Sequence, residues 1–252
     1  MSQESPAAVV TGSTSGIGRA IAVRLSRVGY RVILNYSHDG QRAASALKEA
    51  RHAGGNCLLV RADIGRSGEA ASLIDQAIEA FGRIDVVVNN AARVADAPVL
   101  DMTEAEWDSV LDVNLKGAFL VAQAAARQML SQDSGGTILN IGASTGIRGR
   151  RNGVNTCASK AGLMLMTQCL ALELAPKIRV NTIIPGLVIT DETQERFGLD
   201  DPDIRRQRET AVPLARLGSP EDVADAVMLA ISAEARFMTG QKIIVDGGQN
   251  MW

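Results

Sequence analysis

The chain reads as an α/β protein with helices on both faces of one doubly wound parallel sheet, and three observations carry that expectation. Short runs rich in Val, Ile and Leu recur along the 252 residues, each followed by a segment competent to form a helix. The runs are apolar throughout rather than alternating, the pattern of strands covered on both faces. A glycine-rich turn, Thr11 to Gly18, leads from the first run straight into an amphipathic segment.

The strand-like runs fall at Ala7–Thr11, Val32–Asn35, Cys57–Val60, Val86–Asn89, Thr137–Ile141, Val180–Ile184 and Ile243–Val245, which gives a seven-stranded sheet. Helical segments separate them, beginning with Arg19–Val28. Glu104–Leu130 is almost unbroken apart from Gly117, and Gly162–Leu174 is apolar on more than one face, so it is either deeply buried or part of a subunit contact. From Thr190 to Pro213 the sequence turns charged and turn-rich, and the excursion 187–213 reads as a lid or as a solvated surface excursion.

Composition narrows the class. A hydrophobic content of 46% in 252 residues suffices for one sizeable core, so 1–252 is taken as one domain. The formal charge of −2 comes from intermixed signs, which argues against nucleic acid and anionic membrane surfaces as partners. Cys57, Cys157 and Cys169 show no paired spacing, which points away from a disulfide framework or thiolate metal site and toward a reducing cytoplasm. Residues 1–6 lack a basic stretch followed by an apolar one, and no run is long enough to span a bilayer. No His, Asp or Glu spacing suggests a metal.

The turn Thr11-Gly12-Ser13-Thr14-Ser15-Gly16-Ile17-Gly18 sits where a pyrophosphate needs bare backbone and a helix N-terminus, so Gly12, Ser15, Gly16, Ile17 and Gly18 are candidate cofactor contacts in a Rossmann-type, three-layer fold. The second strand ends Asn35-Tyr36-Ser37-His38, with no carboxylate where NAD's ribose usually meets one. Neutral donors there, with Arg42 nearby, favour NADP; Asp39 leaves NAD open. Asp63 and Ile64 past the third strand, and Asn90 and Ala91 past the fourth, complete the rim. Asp63 also reads as a helix N-cap in competition with Ser67.

These residues resemble the short-chain dehydrogenase/reductase family, particularly its 3-ketoacyl-carrier-protein reductase and glucose-dehydrogenase branch. The likeness spans nearly the whole chain: Thr11-Gly12 with Gly16 and Gly18, Asn89-Asn90-Ala91, Asp112 to Gly117, Ala158-Ser159-Lys160-Ala161-Gly162, Pro185-Gly186 with Thr190, Arg216 to Ala224, and Thr239-Gly240-Gln241 with Val245 to Gly248. The resemblance implies an NAD(P)(H) site, a small-molecule substrate and a homotetramer. It places Pro185, Gly186, Val188 and Thr190 on the nicotinamide and phosphates, Lys160 on the nicotinamide ribose, and a water on Asn114.

The family sets a Tyr four residues before its Lys and a Ser thirteen before that Tyr, and counting back from Lys160 gives Thr156 and Ala143. Threonine cannot serve as a phenol does, because its alcohol is a far weaker acid and its oxygen stops about a ring's length short. Thr156 and Ser144 are therefore expected to line the pocket as weak donors, Ser144 taking the serine's place only if the loop shifts register. Cys157, one step along the helix, faces elsewhere and is expected to be structural. Tyr30, Tyr36, His38 and His52 all lie in the cofactor half, the histidines at the surface. Arg148, Arg150 and Arg151 form either an anion-receiving cluster or a solvated loop.

The expected activity is hydride transfer to a carbonyl-like substrate, a 3-oxoacyl thioester or relative, at a degenerate proton-donor site. Two alternatives remain open: an enoyl-thioester or imine reductase that needs no strong protein acid, and a catalytically weak NADP-binding subunit.

Overall fold

The computed structural model describes residues 5–251, so residues 1–4 of the leading segment lie outside it. Seven strands form one parallel sheet: β1 (Ala7–Val10), β2 (Arg31–Tyr36), β3 (Cys57–Arg61), β4 (Val86–Asn89), β5 (Gly136–Ile141), β6 (Ile178–Pro185) and β7 (Lys242–Val245), in the spatial order β3-β2-β1-β4-β5-β6-β7. The order reverses between β1 and β4, and the carboxyl ends of those two strands open the crevice in which such sheets receive ligands.

Successive residues of each strand supply opposite cores, as the pleat requires. Ala7, Val9, Ile33, Val87, Ile138 and Val180 pack toward α3 (Ser67–Phe81) and α5 (Ala118–Ser131). Ala8, Val10, Val32, Leu34, Val88, Leu139 and Ile183 pack toward α1 (Gly16–Arg27), α2 (Gly40–His52) and α9 (Pro220–Ile231).

The helix expected over 104–130 runs as α4 (Glu104–Leu111), a π-helical turn (Asp112–Gly117) and α5 without a break. Gly117 is there because a Cβ would lie 2.7 Å from the carbonyl oxygen of Ile64, so a larger residue would push the π turn off the third crossover. The next helix, α6 (Val154–Leu174), starts eight residues before the apolar run that announced it and includes Thr156 and Lys160. It buries Leu163, Met164, Thr167 and Ala171 while leaving Leu165 and Leu172 exposed. Neither Asp63 nor Ser67 caps α3; its N-cap is Arg66.

The excursion 187–213 is not the turn-rich loop its composition suggested. It carries α7 (Asp191–Phe197), capped by Thr190, and α8 (Pro202–Thr210), whose N-cap Asp201 accepts from the amides of Asp203 and Ile204. Leu199, Val212 and Leu217 give it a small core of its own. Among the described residues, no helix is long and apolar enough to cross a membrane.

A buried polar column fixes α6 on the sheet. The Thr167 hydroxyl donates to the Leu163 carbonyl at 2.8 Å and accepts from the Asn140 amide and the Thr182 hydroxyl, each at 2.8 Å. Thr167→Val keeps the shape but strands two buried donors, and is expected to cost about 1–3 kcal/mol, read as a lowered urea midpoint at unchanged m-value.

Candidate functional site

The crevice at the switch point opens into a cleft of about 1030 Å³ that reaches from the glycine turn to the start of α6 and is roofed by α7. Its cofactor end is held together by backbone clamps. Gly12 sits at φ +59°, and a Cβ on it would lie 2.8 Å from the Ala91 Cα. A Cβ on Gly18 would come within 2.4 Å of the Asn90 amide and the Gly12 carbonyl. Those contacts exist because the Asn90 side chain donates to the carbonyls of Thr11 and Gly12 at 3.0 and 2.9 Å, while the Thr11 hydroxyl accepts from the Asn90 and Ala91 amides.

The candidate contacts from sequence divide by what their side chains are doing. Asn35 is buried: its carbonyl oxygen accepts from the Gly12 amide at 3.1 Å and its amide donates to Ala62 O at 3.0 Å, so it shapes the turn from behind. Asn90 likewise spends its amide on the turn. Gly12, Ser15, Gly16, Ile17, Gly18, Tyr36, Ser37, Asp63, Ile64, Ala91, Pro185, Gly186, Val188 and Thr190 all line the cleft. Ser15 begins α1 without a side-chain cap bond, which leaves the helix N-terminus open to an anion. A dinucleotide diphosphate fits this cradle: the glycines bare the backbone, and a side chain on Gly12 or Gly18 would fill it. Asp39, the one acid near the end of β2, caps α2 by accepting from the Arg42 amide at 2.9 Å, while Arg42 itself lines the cleft.

At the opposite end stand Lys160, Thr156, Ala143 and Ser144, the last opening a 3-10 turn (Ser144–Gly146). Lys160 is 7% exposed, and its ammonium donates to the Ile141 carbonyl at 2.7 Å. Burial without a carboxylate partner pulls its pKa down from 10.5 to about 8. The Thr156 hydroxyl makes only a long contact of 3.5 Å to the Asn155 side chain, whose oxygen also takes the Thr156 amide at 2.7 Å.

Asn114 is buried behind the wall of the cleft. Its oxygen accepts from the Arg93 amide at 2.7 Å, and its nitrogen donates to Arg93 O at 3.0 Å and to the Ser159 hydroxyl at 3.2 Å. At 1% exposure it does not line the cleft, and its side chain ties the loop after β4 to α6. Of the arginine cluster, Arg150 is likewise committed: it grips Asp96 through two bonds of 2.6 Å.

Asp96, which braces the wall of the cleft, is a residue that sequence reasoning missed. It also pairs with Arg196 of α7, so one carboxylate joins the loops after β4 and β5 to the roof of the cleft. Burial works to raise the Asp96 carboxyl, but the hydrogen bonds and charges of Arg150 and Arg196 outweigh it and hold the group below the ordinary carboxylate range. A lone acid in a loop carries no pattern, and its partners lie 54 and 100 residues away. Asn155 was missed for the same reason; its amide donates to Ala95 O at 2.7 Å and anchors the first turn of α6.

The depressed pKa of Lys160 has a thermodynamic sign. Between pH 8 and 10.5 the unfolded chain holds the proton that the folded chain has lost, so stability rises with pH across that window and the burial penalty is fully present below it. Lys160→Met is expected to be more stable than the parent by about 1–3 kcal/mol below pH 8, the advantage shrinking as pH climbs toward 10.5. Denaturant midpoints measured across that range check it.

Compared with known proteins, residues 12–250 match the profile of the family described as Enoyl-(Acyl carrier protein) reductase. The chain is 38% identical over 245 residues to 3-oxoacyl-[acyl-carrier-protein] reductase FabG of Staphylococcus aureus, covering 97% of this chain and 98% of that one. Among solved structures, a variant of actinorhodin polyketide ketoreductase with NADPH superposes with a TM-score of 0.93 at 32% identity, over 100% of this chain and 99% of that one. A Serratia marcescens short-chain dehydrogenase/reductase double mutant gives 0.89 at 29% identity, over 98% of each chain. The chain belongs to the short-chain dehydrogenase/reductase family and is an NAD(P)-dependent oxidoreductase.

Proposed function

We propose that this protein reduces the ketone of a 3-oxoacyl thioester with NADPH at a proton-delivery site that lacks both the phenol and the serine hydroxyl of its relatives. One observation carries the proposal: a dinucleotide cradle shares its cleft with the Lys160 amine, while Thr156 and Ala143 stand at the two positions that would supply those hydroxyls. The bound dinucleotide would supply hydride. Gly12, Gly16 and Gly18 with the N-terminus of α1 would hold its diphosphate, and Lys160 its nicotinamide ribose. Asp63 would face the adenine, with Pro185, Gly186, Val188 and Thr190 around the nicotinamide.

NADP is preferred over NAD on two grounds. Asp39 caps α2 with one carboxylate oxygen, and Arg42, within 3.8 Å of Asp39 and 3.6 Å of Asp191, lines the cleft beside Tyr36 and Ser37, where a 2′-phosphate would sit. The 3-oxoacyl class rests on the similarity to a 3-oxoacyl reductase over nearly the whole chain. A second reading, reduction of an enoyl thioester, is favoured by the description of the matching family and by chemistry that lets water protonate carbon after hydride delivery.

The paired reversion Thr156→Tyr with Ala143→Ser tests the missing-donor proposal. Oxidation of NADPH, with NADH as comparison, would be followed with acetoacetyl and crotonyl thioesters and a cyclic imine. Ketone reduction is expected to gain at least about 10² over the parent. An unchanged ketone rate beside a fast crotonyl rate would replace this reading with the enoyl one, and NADPH binding without turnover on any substrate would leave a binding subunit.

A homotetramer is the proposed assembly. Leu165 and Leu172 stand exposed on α6, at 63% and 83%, beside a face of the same helix that is fully buried, and Leu229 and Phe237 are exposed near the far sheet edge. Sedimentation equilibrium at micromolar concentration is expected to give four copies, and a monomer would refute it.

A further inference from the structure

We propose that Lys160 is itself the catalytic acid of this chain: its ammonium, in place of a phenol, delivers the proton to the substrate's carbonyl oxygen across the space lined by Thr156, Ala143 and Ser144. The inference rests on the reductase reading above and assigns the proton that reading leaves without a source.

Three features of the site support it. First, the amine lines the cleft, and among the described residues its hydrogen bonding stops at one neutral acceptor, Ile141 O at 2.7 Å. An ammonium has three donors, so two remain, one for the nicotinamide ribose and one for the substrate carbonyl. Second, no ion pair holds the proton in place. The elements packed against α6 carry Glu104, Glu106, Asp108, Asp112, Lys116, Arg127 and Arg179, and none of the ion pairs among the described residues includes Lys160: Asp112 pairs with Lys116 at 2.6 Å, Glu106 accepts from Thr103, and Arg179 donates to Thr137 and Ala230. At the cleft mouth, Arg150 is held by Asp96. Along α6 the other titratable groups are Cys157, Cys169 and Glu173. Third, the side chain one turn earlier is Thr156, too short to stand between the amine and a bound carbonyl. Burial, which brings the amine's pKa to about 8, makes it a far better acid near neutrality than an ordinary lysine.

The step balances. The carbonyl carbon accepts hydride from the reduced nicotinamide, the C=O π pair moves onto oxygen, and that oxygen takes a proton from Nζ. The N–H bond breaks with its electrons staying on nitrogen, and the neutral amine regains a proton from solvent. The product is the 3-hydroxy thioester with oxidised nicotinamide.

Because the acid must be protonated, single-turnover ketone reduction is expected to be flat below pH 8 and to fall tenfold per unit above it. Lys160→Arg keeps the positive charge but cannot release its proton, so it should bind NADPH, read by quenched Trp fluorescence, while losing at least about 10² in the hydride step. Should that variant fail to fold, Lys160→Ala with added ethylammonium or the more acidic 2-fluoroethylammonium is the second test. Rescue that depends on the acidity of the amine supports the proposal; rescue by neither overturns it.

A readout independent of turnover is reductive methylation of the protein without nucleotide, followed by mass spectrometry against pH. The Lys160 peptide should reach half its maximal rate near pH 8. Labelling of Lys160 at an ordinary lysine pH, or none at all, overturns the proposal. Ketone turnover undiminished in Lys160→Arg would overturn this inference alone, whereas NADPH binding without ketone turnover in the parent would take the reductase reading with it.

Discussion

Everything at the ligand edge of this sheet depends on how closely the first and fourth crossovers approach. The Asn90 amide bridges two consecutive carbonyls of the glycine turn, and the Thr11 hydroxyl answers by accepting two consecutive amides from the other side. Four short bonds close the switch point of the sheet, so there is room for hydrogen atoms and no more at Gly12 and Gly18. The same closure leaves the N-terminus of α1 facing outward with its amides free, which is what an anion requires. The binding surface is therefore a consequence of how the backbone is clamped, and the side chains near it mostly do the clamping.

The second half of the cleft is positioned by a different device. Asn89 donates to Asn140, Asn140 and Thr182 both donate to Thr167, and Thr167 returns to its own helix at Leu163. Buried polar groups are costly unless satisfied, and a connected chain of them has few alternative packings. This chain sets the rotation of α6 about its axis. That rotation in turn decides that Lys160 meets the Ile141 carbonyl and lines the cleft. A buried ammonium costs stability wherever it is placed; here the polar column, rather than a carboxylate, keeps it in position.

Sequence made the strands and the cofactor end legible because both follow local rules. Continuous apolar runs gave every strand to within about two residues, and the glycine turn announced its place on the cleft by sitting between a strand and a helix. The helices of the 187–213 excursion were obscured: Asp201-Pro202 reads as part of a turn, yet in place the pair is the cap and first residue of α8. Counting from Lys160 placed Thr156 and Ala143 on the site wall, but could not show that Asn114 spends its side chain on Arg93 and Ser159. Nor could it pair Asp96 with Arg150 and Arg196, since ion pairs across distant loops leave no trace in spacing or periodicity.

Those ion pairs also explain why the substrate end can diverge without cost to the fold. Asp96 ties the roof helix to two loops, and the 187–213 excursion packs into its own small apolar cluster, so the cavity walls are supported from outside the cavity. Thr156 bears none of that load: its backbone amide is met by Asn155, and its hydroxyl makes one long contact. Ala143 precedes a 3-10 turn whose bonds are all made by backbone. A phenol and a serine hydroxyl at these two positions would serve chemistry and contribute little to packing. Selection on folding alone would not retain them, whereas Lys160, which costs stability by being buried, needs a function to account for its presence. That asymmetry, two inexpensive donors absent and one costly cation kept, is what the proposed roles of Lys160 on the nicotinamide ribose and in proton delivery account for.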